Sequence, residues 1–107
     1  MDELTVGEAA ARTGWSPRML RYIEASALVV ARRTRSGYRL YGLRELNQLR
    51  ALRELLTRFR IELSDMAFAA RLRRDDALRS AVDSWLASTE LHALEWEQRK
   101  QERLLAA

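Results

Sequence analysis

Helix breakers are few in this chain, and their placement constrains the fold more than any other feature. Of 107 residues one is proline, Pro17, and four are glycine, at positions 7, 14, 37 and 42. A chain so poor in breakers is expected to fold as successive helices, with the remaining Gly, Ser and Pro residues marking where each begins or ends. Thr5-Val6-Gly7-Glu8 has the form of a capping box. The Thr5 side chain accepts from the backbone three residues on and Glu8 reaches back, so a short helix is expected to run to about Thr13. Gly14 stops it. Ser16-Pro17 restarts a helix, because serine is a favoured N-cap and proline fits the first helical position, where its missing N–H is not needed. This second helix carries Met19 to about Ala25. Two short helices joined by Thr13-Gly14-Trp15-Ser16 make a helix-turn-helix.

Helical phase then sorts the side chains. On the second helix Leu20, Ile23 and Ala27 fall on one side, and Arg18, Arg21, Tyr22 and Ala25 on another. The first side packs and the second is open to a partner. Tyr22 has two readings, an outward contact residue or a half-buried aromatic, and Trp15 is expected to plug the core between the helices. From Leu28 to Tyr41 the helical period is lost. Val29-Val30 and Tyr38-Arg39-Leu40-Tyr41 are β-branched or aromatic and flank Arg35-Ser36-Gly37, which predicts a hairpin. Gly42-Leu43-Arg44-Glu45 opens a third helix whose core positions are Leu43, Leu46, Leu49, Leu52 or Arg53, and Leu56. Leu63, Met66, Ala67 and Ala70 predict a short fourth helix closing the domain near Leu72.

A last helix is expected from about residue 75 to 107, since no Gly or Pro interrupts it. Leu78, Val82, Trp85, Thr89, Ala93 and Trp96 recur at steps of three and four, with Leu86 widening the stripe beside Trp85. Two tryptophans on one stripe need cover, and a symmetric partner helix supplies it, which predicts a homodimer. The other way to cover them is to fold the helix back on its own domain. His92 borders the stripe and reads as a packing or rim residue.

Charge locates the surface that meets a partner. Residues 1–60 carry 12 Arg against 6 acids, whereas residues 61–107 carry 7 basic residues against 9 acidic ones. Arg32, Arg33, Arg35, Arg39 and Arg44 fall within thirteen residues that hold no acid, a density suited to phosphates or to a plain solvated loop. Without cysteine there is no disulfide, thiolate nucleophile or Zn–Cys site, and a single His cannot assemble a metal site or a catalytic triad. No enzyme activity, metal or cofactor is expected. The uncharged runs are far shorter than the roughly 18 apolar residues of a membrane span. Met1-Asp2-Glu3-Leu4 is acidic where a signal peptide would be basic, so a cytoplasmic location is expected.

Taken in order, several segments resemble one family. They are Thr5-Val6-Gly7-Glu8-Ala9-Ala10, Thr13-Gly14, Ser16-Pro17-Arg18, Leu20-Arg21-Tyr22-Ile23-Glu24, Arg33-Thr34 and Ser36-Gly37-Tyr38-Arg39-Leu40-Tyr41. Together they resemble the N-terminal winged-helix domain of the MerR family of bacterial transcription regulators over about residues 4 to 72. The resemblance implies a mostly α fold. Residues 1–72 would form a winged helix-turn-helix DNA-binding domain with a small β-hairpin wing, and residues 75–107 a helix that dimerises as an antiparallel coiled coil. By position it implies Arg18 and Arg21 in or beside the major groove, Tyr22 against the backbone, and Arg33, Tyr38 and Arg39 on phosphates.

Departures from the family pattern are mostly structural. Ile23 stands where a second aromatic is common, Ala27 where glycine ends the second helix, Val29-Val30-Ala31 where prolines lead into the wing, and Arg60 where glycine separates the third and fourth helices. Members that sense effectors do so beyond the coiled coil. The resemblance therefore implies a short member without an effector domain, with double-stranded DNA as partner and RNA polymerase or another regulatory protein as a further candidate. The leading expectation is a homodimer that binds promoter DNA sequence-specifically and distorts it. The alternatives are a MerR-like adaptor of the chaperone-modulator type and an excisionase-like architectural DNA-bending protein.

Overall fold

The computed structural model describes residues 3–106, with only the backbone described at residues 91–93. Helices α1 (Val6–Thr13) and α2 (Pro17–Ala25) are followed by strands β1 (Arg32–Arg33) and β2 (Arg39–Leu40), then helices α3 (Leu43–Phe59), α4 (Leu63–Arg74) and α5 (Asp76–Ala106). The fold is mostly helical with a two-stranded antiparallel hairpin. It divides into two compact units between Arg71 and Leu72.

In the first unit the local signals act as their chemistry requires. The Thr5 hydroxyl accepts from Glu8 N–H at 3.3 Å, and the Glu8 carboxylate accepts from Thr5 N–H at 3.2 Å. The Thr5 hydroxyl also donates to the Glu8 carboxylate at 3.0 Å, and the bonds that this carboxylate accepts from the Thr5 backbone and hydroxyl hold its pKa below the ordinary value. Gly14 closes α1 at φ 79°, the left-handed region where glycine carries no Cβ penalty. Ser16 Oγ accepts from Met19 N–H at 3.1 Å and starts α2 with Pro17 in its first turn.

The core gathers Leu4, Ala9, Leu20, Ile23, Val29, Ala31, Tyr41, Leu46, Leu49, Leu52 and Leu63. Paired backbone bonds of 2.8 Å between Leu4 and Tyr41 bring the start of the chain against the end of the hairpin. The Tyr41 hydroxyl is buried without a hydrogen-bond partner among the described residues. Burial first, and the Glu24 carboxylate second, push its pKa up.

Three expectations are corrected here. The first strand lies at Arg32–Arg33 and not at Val29-Val30, because Val29 and Ala31 are buried as a linker in the core and the ladder forms only where the chain comes opposite Arg39–Leu40. Ala27 is exposed rather than packed. α2 ends before it, and Ala27 takes φ 57° in a closing motif in which its N–H bonds Glu24 O and Leu28 N–H bonds Ile23 O. Leu43, the first residue of α3, is 54% exposed, since this first turn extends past the core that Leu46, Leu49 and Leu52 enter.

In the second unit Asp75 caps α5, its carboxylate accepting from Leu78 N–H at 3.0 Å. Along α5 Leu78 and Val82 are half-buried, and Trp85, Leu86, Thr89 and Trp96 are exposed. Lys100 lies over the Trp96 ring, 5.4 Å from its centre. The side chains of His92 and Ala93 lie outside the described residues.

Candidate nucleic-acid interface

The candidate surface is built on α2, and two contacts fix the end of α1 and the turn before α2 to α3. Trp15 Nε1–H donates to Leu49 O at 3.0 Å, which seats the ring at the edge of the core with its own N–H paired. The Arg53 guanidinium donates to Thr13 O at 3.3 Å and lies 5.8 Å from the centre of the Trp15 ring. A Cβ on Gly14 would meet only the tip of the flexible Arg53 side chain, which can move aside, so it is the positive φ that calls for glycine in this turn. With Leu20 and Ile23 buried, helical phase leaves Arg18, Arg21 and Tyr22 exposed. Tyr22 is thus an outward residue.

The hairpin stands beside this face. Gly37 N–H bonds Thr34 O at 3.0 Å, Thr34 N–H bonds Tyr38 O at 2.8 Å, and Gly37 at φ 87° lets the chain reverse. Tyr38 is 73% exposed. Across the ladder Arg33 pairs with Arg39 and Arg32 with Leu40. One carboxylate holds both members of the arginine pair. Glu24 Oε1 accepts from Arg33 Nη2 and Oε2 accepts from Arg39 Nε, each at 2.6 Å. Arg33 Nη1 also donates to Gly37 O at 2.8 Å, and Arg32 forms an ion pair with Glu3. The side chains of Arg18, Arg21 and Arg35 make no hydrogen bond or ion pair among the described residues.

Five of the six expected contact residues line two clefts on this side of the unit. Arg21, Tyr38 and Arg39 share a cleft of about 480 Å³ with Thr5, Gly7 and Thr34. Arg18 and Tyr22 line a groove of about 610 Å³ with Trp15, Met19, Leu56 and Leu63. Arg33 lines neither and is held by Glu24 and the Gly37 carbonyl. A basic and aromatic face of this kind offers forked donors and a rigid hydroxyl to phosphate oxygens and base edges. Among the described residues no group of three or more His, Cys, Asp or Glu could hold a metal ion, and no helix is long and apolar enough to cross a membrane.

Comparison with known proteins meets this geometry at the same residues. The family model for the MerR HTH family regulatory protein matches residues 4–65, which span α1, α2, the hairpin, α3 and the start of α4. The chain belongs to the MerR family. Its fold is similar to that in the crystal structure of HiNmlR, a MerR family regulator lacking the sensor domain, bound to promoter DNA. That likeness has a TM-score of 0.55 and 22% sequence identity, and it covers 96% of this chain and 84% of that one. A search of curated proteins finds no match.

Two positions where the resemblance leads glycine to be expected take the left-handed conformation that glycine would supply: Ala27 at φ 57° and Arg60 at φ 53°. Sequence reasoning placed Arg18, Arg21 and Tyr22 through helical phase. It missed Glu24, whose partners stand 9 and 15 residues along the chain. The available signal was a lone acid at the end of a helix followed by a basic stretch without any acid of its own.

Proposed function

We propose that the chain is a transcription regulator that binds promoter DNA sequence-specifically as a homodimer and distorts it. The observation that carries this reading is the convergence of Arg21, Tyr38 and Arg39 on one cleft, beside an α2 face whose arginines have no partner among the described residues. The likeness to a MerR family regulator bound to promoter DNA supports it. In this reading Arg18 and Arg21 meet the major groove and Tyr22 the backbone, while Arg33, Tyr38 and Arg39 meet phosphates. Leu78, Val82, Trp85, Leu86, Thr89, Ala93 and Trp96 form the seam between two copies of α5. The protein acts in the cytoplasm, with RNA polymerase or another regulatory protein as a further candidate partner.

Titration on a duplex selected from a random pool, and on its scrambled version, separates positioning from reading. Arg39→Ala weakens binding to both duplexes alike. Its loss makes the slope of log affinity against log salt shallower by about 0.9 per chain, or about 2 for a dimer. Arg18→Ala costs about 1–3 kcal/mol on the selected duplex and much less on the scrambled one. If neither variant loses affinity, this face is not a DNA surface.

A further inference from the structure

Glu24 belongs to α2, the helix that offers the exposed arginines, yet its carboxylate faces the hairpin. Its side chain is only 14% exposed, against 45% for Arg33 and 26% for Arg39. Arg33 and Arg39 are direct partners across the ladder, a placement that sets like charges against each other. An isolated two-stranded hairpin is at best marginally stable in water, so this pair needs an anion between its members if the hairpin is to keep its place. Glu24 supplies one, with an oxygen for each guanidinium. Through Arg33 the grip extends to the Gly37 carbonyl at the hairpin turn.

The donors left over show what this grip accomplishes. A guanidinium carries five N–H donors. Arg39 gives Glu24 only its Nε–H, so the Nη1 and Nη2 groups of its terminal fork are left for a phosphate. Because Glu24 holds the Nε edge, it fixes the direction in which that fork points. It also withholds one unit of positive charge from a face that would otherwise attract any nucleic acid.

We propose that Glu24 is a positioning residue that determines specificity: by gripping Arg33 and Arg39 it keeps the hairpin in register with α2 and limits attraction to non-specific DNA. The proposal rests on the DNA-binding reading above. It makes discrimination depend on a residue that itself need touch no base. Glu24→Gln keeps the shape of the side chain but removes its charge, freeing both arginines from their ion pairs.

The test measures binding of wild type and Glu24→Gln to the selected duplex and its scrambled version over a range of salt concentrations, with thermal melting to follow the fold. The variant is expected to bind the scrambled duplex more tightly than wild type does. Its salt slope there should steepen by up to about 0.9 per chain, for the one positive charge that Glu24 withholds. The ratio of selected to scrambled affinity is expected to fall by about tenfold, which corresponds to one charge-assisted hydrogen bond. A residue that only supported the fold would weaken both duplexes and leave the slope unsteepened.

Glu24→Asp keeps the charge but is too short to reach both arginines, so it is the second variant and carries the test if Glu24→Gln fails to fold. Its ratio is expected to fall with little change in salt slope. Discrimination equal to wild type in whichever variant folds would overturn the proposal and leave the DNA-binding reading intact. No binding of any duplex by wild type would overturn both.

Discussion

The two units of this chain meet the same physical demand in different ways. Residues up to Arg71 enclose a core of their own, in which Leu20, Ile23, Tyr41, Leu46 and Leu49 are almost wholly buried. Residues from Leu72 onward form the long α5, along which no described side chain is fully buried and Trp85 and Trp96 are 64% and 63% exposed. The helix breakers account for the difference. Where Gly14, Pro17, Gly37 and Gly42 turn the chain, short elements come back on one another and cover their apolar faces. Past Gly42 the left-handed Arg60 still ends α3 and Asp75 starts a new helix without any glycine or proline. From Asp76 to Ala106, however, nothing turns the chain, and the apolar stripe of this helix has to be covered by something else. In the proposed function the first unit therefore supplies the cationic recognition face, and α5 joins one copy to another.

The largest expected effect tests this contrast in the core. Leu49→Ala removes a side chain that is fully buried and is expected to cost about 2–5 kcal/mol of unfolding free energy at any protein concentration. Leu86→Ala on α5 is expected to lower only the part of the stability that depends on protein concentration, because in the proposed dimer its partner is another molecule. Urea unfolding at two concentrations a hundredfold apart separates them. A concentration-independent loss of several kcal/mol in Leu86→Ala would break the comparison.

A smaller effect sharpens the account of the first unit. Ala27 and Arg60 hold left-handed conformations that cost a side-chain-bearing residue about 1–2 kcal/mol. Glycine removes that strain but gains conformational entropy in the unfolded chain, worth about 0.4–1 kcal/mol. Ala27→Gly and Arg60→Gly are each expected to stabilise by about 0.5–1 kcal/mol, read as a raised urea midpoint. No rise in either would mean that surrounding contacts make these conformations strain-free.

What the sequence reveals of this fold follows the range of the interactions involved. The Thr5 to Glu8 capping box, the Ser16-Pro17 start and the Gly14 stop are each decided within a few residues, and each is present where the sequence implies. The outward placement of Arg18, Arg21 and Tyr22 was legible for a related reason, since helical phase needs only the buried Leu20 and Ile23 as reference. Val29-Val30 misled because β-branched residues report burial as readily as strand pairing, and Val29 is buried in the core. The Glu24 grip was not legible. It depends on the end of α2 meeting a folded hairpin, and tertiary packing decides that.

The central claim is that one unit recognises DNA and the other joins two copies on it. Hydroxyl-radical footprinting of the selected duplex tests both halves together. With wild type the account predicts protections on the two strands related by a dyad, one half-site for each recognition unit. With Trp85→Glu, which puts a charge into the α5 seam, it predicts that the paired protections are lost at the same concentration. A wild-type footprint of one unsymmetrical patch, or symmetric protections that survive Trp85→Glu, would contradict it.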